Sequence, residues 1–212
     1  LTEPAPVDSV AVALAGSGGA GVMTAGNMLL EAAALAGYYA LMTRSSGPQI
    51  RGGEAAALLR VATRPVECMP AAFDLLAAVD WQNVHRFGAE IPLAASGLVI
   101  GDEAEGEPPA VFTAGGARVA RVPLAAIARG LPGGRGNMVL LGLVGALLGL
   151  PAEALREAVR RTLGKRIAAL EPSLAALAAG AAGAPAGPVF APLAAPPPPT
   201  GGRGVVSGDG AG

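Results

Sequence analysis

The stretch of sequence that decides the fold is Val10-Ala-Val-Ala-Leu-Ala-Gly16-Ser-Gly-Gly-Ala-Gly21. It begins as an apolar run and ends in glycines at the first, third and sixth positions of a tight turn. A helical pattern over residues 22–36 follows at once. This arrangement is typical of a buried strand that leads into a helix whose free N–H groups bind a phosphorylated ligand. We therefore expect an anion site, or a plain strand-to-helix turn, at Gly16, Ser17, Gly18, Gly19 and Gly21.

The residues that follow the turn narrow the choice of ligand. An NAD site usually has an acidic residue about 20 positions further on, which binds the ribose hydroxyls. No Asp or Glu lies between Glu31 and Glu54, and Arg44 follows the second apolar strand. An arginine can bind a ribose phosphate, as in NADP or coenzyme A. The turn also lacks the Gly-Lys-Ser/Thr ending of an ATP-type phosphate loop.

A second glycine-rich segment connects the second and third predicted strands. It reads Arg44-Ser-Ser-Gly-Pro-Gln-Ile-Arg-Gly-Gly-Glu54. Loops at the carboxyl ends of parallel strands are where ligands bind in open α/β sheets. The segment is interpreted as a second wall of the phosphate site, as an interface loop that faces a partner's active site, or as an ordinary turn. Its candidate binding residues are Arg44, Ser45, Ser46, Gly47, Arg51 and Gly52.

Composition excludes several classes of function. The 212 residues have a formal net charge of −1 and no basic block, which argues against nucleic-acid binding. The single cysteine, Cys68, excludes an intramolecular disulfide and a cysteine-ligated metal site, and we expect it to be structural. The longest apolar stretch, residues 138–150, is too short to cross a bilayer, so we predict no membrane partner and a cytoplasmic location.

No catalytic group is predicted in this chain. His85 is the only histidine and has no partner at ligand spacing, so we expect it at the surface or at an interface. Asp80 follows a predicted strand and is expected to cap the next helix. No metal ligands and no serine- or carboxylate-based catalytic arrangement are predicted.

Alternating apolar strands and helices predict the architecture. We expect a three-layer, Rossmann-like α/β domain with a mostly parallel sheet. The predicted strands are residues 10–15, 38–43, 55–62, 73–79 and 98–101, with a smaller pair at 110–113 and 117–122. The predicted helices cover residues 22–36, part of 82–90 and most of 137–177, where Pro151 begins a second helix. Residues 181–204, rich in alanine, proline and glycine, are predicted to form a linker within a larger polypeptide or assembly.

Four segments together resemble the gamma domain of 2-oxoacid:ferredoxin oxidoreductases, over roughly residues 8–180. The variant resembled is the one fused ahead of a thiamine-binding alpha domain, as in 2-oxoglutarate enzymes. The segments are Gly16-Ser-Gly-Gly-Ala-Gly21, Met42-Thr-Arg-Ser-Ser-Gly-Pro-Gln-Ile-Arg-Gly-Gly53, Phe73-Asp-Leu-Leu76 and Asp80-Trp-Gln-Asn-Val-His-Arg-Phe87. The resemblance implies a gamma domain over residues 1–180, the linker over 181–204, and the start of an alpha domain at 205–212.

The same resemblance implies an activity and a set of partners. The family oxidatively decarboxylates a 2-oxoacid, here expected to be 2-oxoglutarate, with coenzyme A, and yields an acyl-CoA, carbon dioxide and reduced ferredoxin. Thiamine diphosphate and a [4Fe-4S] cluster are then expected in an alpha domain and a beta subunit, not in this chain, which alone should be inactive. The implied role of this domain is to shape the coenzyme A channel and hold subunits together. An NADP-binding oxidoreductase that uses Arg44 and a non-catalytic assembly module are the alternatives.

Overall fold

The structure, a computed structural model, describes residues 5–47, 53–164, 166–185 and 191–198. Strands dominate as far as residue 122, and helices dominate after it. The strands are β1 (Ser9–Ser17), β2 (Tyr39–Ser46), β3 (Glu54–Ala62), β4 (Phe73–Ala78), β5 (Leu93–Asp102) and β6 (Arg118–Val122). The helices are α1 (Val22–Leu35), α2 (Ala110–Thr113), α3 (Leu124–Arg129), α4 (Gly136–Leu147), α5 (Ala152–Leu163) and α6 (Ile167–Ala182), with 3-10 helices at Val84–Ala89 and Glu103–Glu105.

The six strands form one sheet in the order β2-β3-β1-β4-β5-β6. The pairs β1–β4, β4–β5 and β5–β6 are parallel, whereas β3 is antiparallel to both β1 and β2. The predicted mostly parallel α/β sheet is therefore confirmed. Since β1 and β2 are each antiparallel to β3, they run in the same direction and end at the same edge of the sheet. The two glycine-rich segments consequently begin at one edge, as the sequence predicts.

Side chains of β1 alternate between two separate cores. Val10, Val12 and Leu14 pack on the face covered by α1, α4, α5 and α6. The alternate residues of the strand are alanines, and they pack on the opposite face against Val84 and Phe87 of the first 3-10 helix. This alternation follows from the two-residue period of a strand. The sheet is thus covered by a thick helical layer on one face and a thin layer on the other.

The structure differs from the predicted elements in three places. Residues 110–113 form helix α2 and not a strand, because Pro109 begins a turn in which the Ala114 N–H donates to the Ala110 carbonyl at 2.9 Å. The predicted helix within residues 82–90 is a 3-10 helix, and α3 was not predicted. The helix over residues 22–36 and the start of a helix after Pro151 are confirmed.

The described part of the predicted linker returns to the domain. Leu193 forms an isolated parallel bridge with Val7, and the Val7 N–H donates to the Pro192 carbonyl at 2.8 Å. The Ala194 N–H donates back to Val7, and the Tyr38 hydroxyl donates to the Ala194 carbonyl at 3.1 Å. This segment therefore packs beside the amino end of β1. Among the described helices, none has the length and apolar character needed to cross a membrane.

Candidate functional site

The glycine turn connects β1 to α1 at the carboxyl edge of the sheet. Gly19 and Gly21 have φ values of +98° and +84°, a region that residues with a β-carbon adopt rarely. Gly18 and Gly19 are exposed, and α1 begins after Gly21 without a side-chain cap. The first glycine, Gly16, lies within β1, where an added β-carbon would sit 3.1 Å from Val22 of the helix. The turn therefore presents bare backbone to solvent at a helix amino end, as an anion site requires.

Asp80 holds the first residue of the turn in place. Its carboxylate accepts hydrogen bonds from the Ser17 backbone N–H, at 3.0 Å to each oxygen, and from the Ser17 hydroxyl at 2.8 Å. It also accepts the Gln82 N–H at 3.1 Å. The prediction that Asp80 caps the next helix is wrong, because that 3-10 helix begins after Asn83 and has no side-chain cap. Asp80 instead fixes the path of the glycine turn, a role that only the folded structure reveals.

The second glycine-rich segment is closed at its base by a backbone hydrogen bond and contacts the turn at its carboxyl end. Arg44, Ser45 and Ser46 are the last residues of β2, and the Gly47 N–H donates to the Glu54 carbonyl at 3.0 Å. At the other end, the Gly53 carbonyl accepts the Gly18 N–H. The structure thus brings Gly16 to Gly21 and Arg44 to Gly47 together at one edge. Residues 48–52, including the candidates Arg51 and Gly52, lie outside the described residues.

A buried carboxylate supports the base of this segment. The side chain of Glu54 is 2% exposed and accepts hydrogen bonds from the Arg86 guanidinium at 3.3 Å. The Arg86 side chain, from the neighbouring 3-10 helix, is 44% exposed. The Ser45 hydroxyl donates to Glu90 at the end of the same helix. These contacts connect β2, β3 and the thin layer beneath the two glycine segments.

A cavity of about 220 Å³ lies on the helical side of the glycine turn. Asn137 lines it together with Gly19 and Gly21 of the turn, and its side-chain amide donates to the Gly21 carbonyl at 3.1 Å. A β-carbon on Gly21 would lie only 2.3 Å from that amide nitrogen, so glycine is required there. The cavity is lined by Gly19, Gly21, Thr24, Met28, Arg135, Asn137, Met138, Leu163, Arg166, Ala169 and Ser173. Sequence reasoning identified only the two glycines, although the run Gly133-Gly-Arg-Gly-Asn137, which leads into the first residues of α4, resembles the first turn in composition.

The remaining polar residues considered in the sequence lie away from this site. His85 is exposed, as expected. Cys68 is exposed too, and its carbonyl accepts a hydrogen bond from Arg60 at 3.0 Å, so it is not a core residue. Asp74 accepts the Ala11 N–H at 2.8 Å, and burial raises the pKa of its carboxyl above the usual range. Within the described ranges, no group of three or more His, Cys, Asp or Glu side chains is placed to hold a metal ion.

Comparison with known families identifies the family of this chain. Residues 11–183 match the family model described as pyruvate ferredoxin/flavodoxin oxidoreductase. The chain belongs to this family. The resemblance stated from the sequence is therefore confirmed at the level of the family.

Individual proteins of known kind are also similar to this chain. The ketoisovalerate oxidoreductase subunit VorA of Methanothermobacter thermautotrophicus is 32% identical over 190 residues, which are 84% of this chain and 38% of VorA. A gamma subunit of a keto/oxoacid ferredoxin oxidoreductase from Geobacter sulfurreducens has a TM-score of 0.64 at 25% identity, over 81% of this chain and 95% of that subunit.

A larger enzyme shares the fold. The 2-oxoglutarate:ferredoxin oxidoreductase of Magnetococcus marinus, solved with 2-oxoglutarate, coenzyme A and succinyl-CoA bound, has a TM-score of 0.76 at 23% identity. The match covers 90% of this chain and 34% of that one. This chain therefore spans little more than a third of the length of VorA and of the Magnetococcus enzyme, and nearly the whole of a separate gamma subunit.

Proposed function

We propose that this chain is the gamma domain of a 2-oxoacid:ferredoxin oxidoreductase. In that role it supports the oxidative decarboxylation of a 2-oxoacid with coenzyme A to an acyl-CoA, carbon dioxide and reduced ferredoxin. The proposal extends the family membership, which covers residues 11–183, to an activity that needs partner chains. The domain architecture, with a gamma domain over residues 1–180, a linker over 181–204 and an alpha domain beginning at 205–212, is part of the same proposal, as is a cytoplasmic location.

The observation that carries the proposal is the exposed glycine turn at the sheet edge. Gly18 and Gly19 are exposed there, α1 begins there uncapped, and β2 ends at the same edge, two residues after Arg44. Backbone N–H groups and a helix amino end favour a phosphate, and an arginine adds a fixed positive charge. Coenzyme A supplies such phosphates, and the Magnetococcus relative was solved with coenzyme A bound. We assign the coenzyme contact to the glycine turn together with Arg44, Ser45, Ser46, Gly47, Arg51 and Gly52.

The chemistry of bond cleavage is assigned to partner domains. Thiamine diphosphate supplies the electron sink for decarboxylation, and an iron–sulfur cluster carries the electrons to ferredoxin. This chain contributes by binding and orienting the coenzyme at the edge where β1 and β2 end. The 2-oxoacid is proposed to be 2-oxoglutarate, with support from the Magnetococcus enzyme, whereas the name of VorA favours a branched 2-oxoacid.

The test is kinetic and uses the chain assembled with its partner subunits. Gly18→Val places a branched side chain where the coenzyme would approach. We expect the KM for coenzyme A to rise by about tenfold or more, while the KM for 2-oxoglutarate stays within about twofold. Gly115→Val is the matched control, because Gly115 is exposed and has no atom within 4 Å of an added β-carbon.

Three outcomes would contradict parts of this proposal. An unchanged KM for coenzyme A in a folded Gly18→Val assembly would remove the turn from the coenzyme site and favour a purely structural role in assembly. Turnover of a 2-oxoacid by this chain alone would contradict the assignment of cofactors to partners. Stronger turnover with 3-methyl-2-oxobutanoate than with 2-oxoglutarate would replace the proposed substrate.

A further inference from the structure

We infer that Arg86 is a positioning residue for the proposed coenzyme contact and that it acts through Glu54. It holds the Glu54 carboxylate at the base of the second glycine-rich segment, and it cancels the negative charge that this carboxylate places beside a bound phosphate. The inference rests on the proposed function. It adds a residue that belongs to neither glycine-rich segment, because Arg86 lies on the 3-10 helix Val84–Ala89 of the thin layer.

Glu54 lies where the two glycine-rich segments meet. In the sheet, Glu54 of β3 is paired with Ser17, the last residue of β1, which leads into the glycine turn. The preceding residue, Gly53, accepts the Gly18 N–H. The Glu54 side chain lies directly against Gly47, where an added β-carbon would overlap the carboxylate. The backbone of Glu54 therefore borders the turn, and its carboxylate borders the end of β2.

The burial of Glu54 makes its charge important for a ligand at this edge. The side chain is 2% exposed, so water screens the carboxylate weakly. A phosphate bound at the backbone N–H groups of the turn carries the same sign of charge. Like charges repel more strongly where water is excluded. A Glu54 carboxylate without a counter-charge would consequently weaken the binding of any phosphate here.

Arg86 supplies that counter-charge. One nitrogen of its guanidinium lies 3.3 Å from each oxygen of the Glu54 carboxylate. Among the side chains that the structure describes, no other forms an ion pair with Glu54. Since the Arg86 side chain is 44% exposed, the pair opens to solvent on the arginine side. With the pair neutral, the amino end of α1 and Arg44 set a positive potential at this edge.

The 3-10 helix that carries Arg86 is held in place by other contacts. Its Val84 and Phe87 side chains are 0% and 2% exposed and pack in the core between the sheet and the thin layer. The Ser45 hydroxyl donates to Glu90 at the end of the same helix. Removal of the Arg86 side chain therefore leaves the helix in position, and its effect on the coenzyme reports on the uncompensated carboxylate.

The experiment measures the KM for coenzyme A and for 2-oxoglutarate in the chain assembled with its partner subunits. Arg86→Ala should raise the KM for coenzyme A by about tenfold, because the buried carboxylate then repels the phosphates, while kcat and the KM for 2-oxoglutarate stay within about twofold. Arg86→Lys keeps the charge, so its KM for coenzyme A should stay within about threefold of the wild type. Arg64→Ala is the matched control and should match the wild type. Arg64 also pairs with a carboxylate, that of Asp8 at 3.1 Å, but both side chains are exposed beside the amino end of β1.

Substitution of Glu54 separates the effect of charge from the effect of the lost contact. In the double variant Arg86→Ala/Glu54→Gln the ion pair is still missing, yet no buried charge remains, so the KM for coenzyme A should return to within about threefold of the wild type. Glu54→Gln alone leaves the arginine in excess and should lower that KM by about two- to threefold. A double variant as impaired as Arg86→Ala would overturn the inference, because the lost contact and not the charge would then be responsible.

The Gly18→Val assembly distinguishes this inference from the proposed function. A raised KM for coenzyme A in Gly18→Val with no change in Arg86→Ala overturns the inference and leaves the coenzyme contact standing. An unchanged KM in both variants overturns both. A rise in both variants, which Glu54→Gln reverses in the Arg86→Ala background but not in the Gly18→Val background, supports both. Circular dichroism verifies that each variant is folded.

Discussion

Asp80 and Ser17 are 63 residues apart in the chain, yet the carboxylate of the first accepts both the backbone N–H and the hydroxyl of the second. The contact joins the ends of the neighbouring parallel strands β4 and β1. It holds the first residue of the glycine turn at a fixed position relative to the sheet. The shape of the turn therefore depends on a residue outside the glycine motif.

Asp80→Ala should loosen the glycine turn more than it destabilises the domain. The change leaves the N–H groups of Ser17 and Gln82 without their acceptor, and we expect a loss of about 1–3 kcal/mol in the free energy of unfolding. Urea denaturation measures that loss, and the KM of the assembled enzyme for coenzyme A should rise with it. Asp80→Asn keeps one acceptor oxygen, so its free energy of unfolding should lie between those of the wild type and Asp80→Ala. A variant with wild-type stability would show that the turn keeps its shape without Asp80.

Gly21→Ala should lower the thermal stability of the domain more than a substitution that introduces backbone strain alone. Both Gly21 and Gly149 have positive φ, at +84° and +68°, so alanine is strained at either by about 1 kcal/mol. Only at Gly21 does the new β-carbon meet an obstacle, the Asn137 amide, whereas Gly149 has nothing within 4 Å. Thermal unfolding of both variants isolates the contact, and equal melting temperatures would mean that Asn137 moves aside freely.

The Glu54–Arg86 pair should show strong coupling in a double-mutant cycle. Arg86→Ala leaves the buried Glu54 carboxylate without a counter-charge, and we expect a loss of about 1–3 kcal/mol, moderated because Arg86 is half exposed. The same change made in a Glu54→Gln background should cost less, since no buried charge remains. Additive effects in urea denaturation would indicate that water already screens the carboxylate.

The raised pKa of the Asp74 carboxyl should make the stability of the domain depend on pH. Burial raises the pKa of its carboxyl above 3.8, so the folded state binds this proton more tightly than the unfolded chain does. Its stabilising contribution is fully present below about pH 3.9 and is lost as the pH rises through the folded-state pKa. Asp74→Asn should therefore gain stability relative to the wild type between about pH 4 and pH 7. Glu103→Gln, at an exposed carboxylate, serves as the control and should show no such gain.

Arg51 stays a prediction, because it lies outside the described residues. Its position in the Ser46–Glu54 connection favours an anion across a subunit boundary, so coenzyme-dependent activity should fall in the order wild type, Arg51→Lys, Arg51→Ala. The loss for alanine should be roughly ten- to hundredfold. Identical coenzyme A dependence and identical subunit co-purification in all three proteins would remove this residue from the functional site.

The parts of the fold that follow from local sequence were predictable. The β1 strand, the glycine turn and α1 follow from an apolar run, three glycines and a helical period. The antiparallel direction of β3 could not be predicted, because a strand buried on both faces has the same apolar sequence in either direction. Residues 110–113 combine β-branched and aromatic residues, yet Pro109 begins a helix there.

The site was predictable only where it is continuous in sequence. The glycine turn and the second segment were identified because their residues are neighbours in the chain. Asp80, Asn137 and Ser173 reach the turn or the cavity from strands and helices more than 60 residues away from it, and no local pattern indicates such contacts. Uncapped helix ends at Arg135 and Arg166 are visible in the sequence individually, but their convergence is a property of the packing.

The pairing of β2 with β3 has a consequence for how members of this family can diverge. Ser46 pairs with Ala55, and Gly16 of β1 pairs with the same residue, so the register is set entirely within the strands. Residues 48–52 can lengthen, shorten or change composition without shifting any of these pairs, and loop closure depends only weakly on length. This connection can therefore be exchanged without changing the strand pairing. Exchanging it between relatives would alter what the domain presents to a neighbouring subunit while the sheet beneath keeps its geometry.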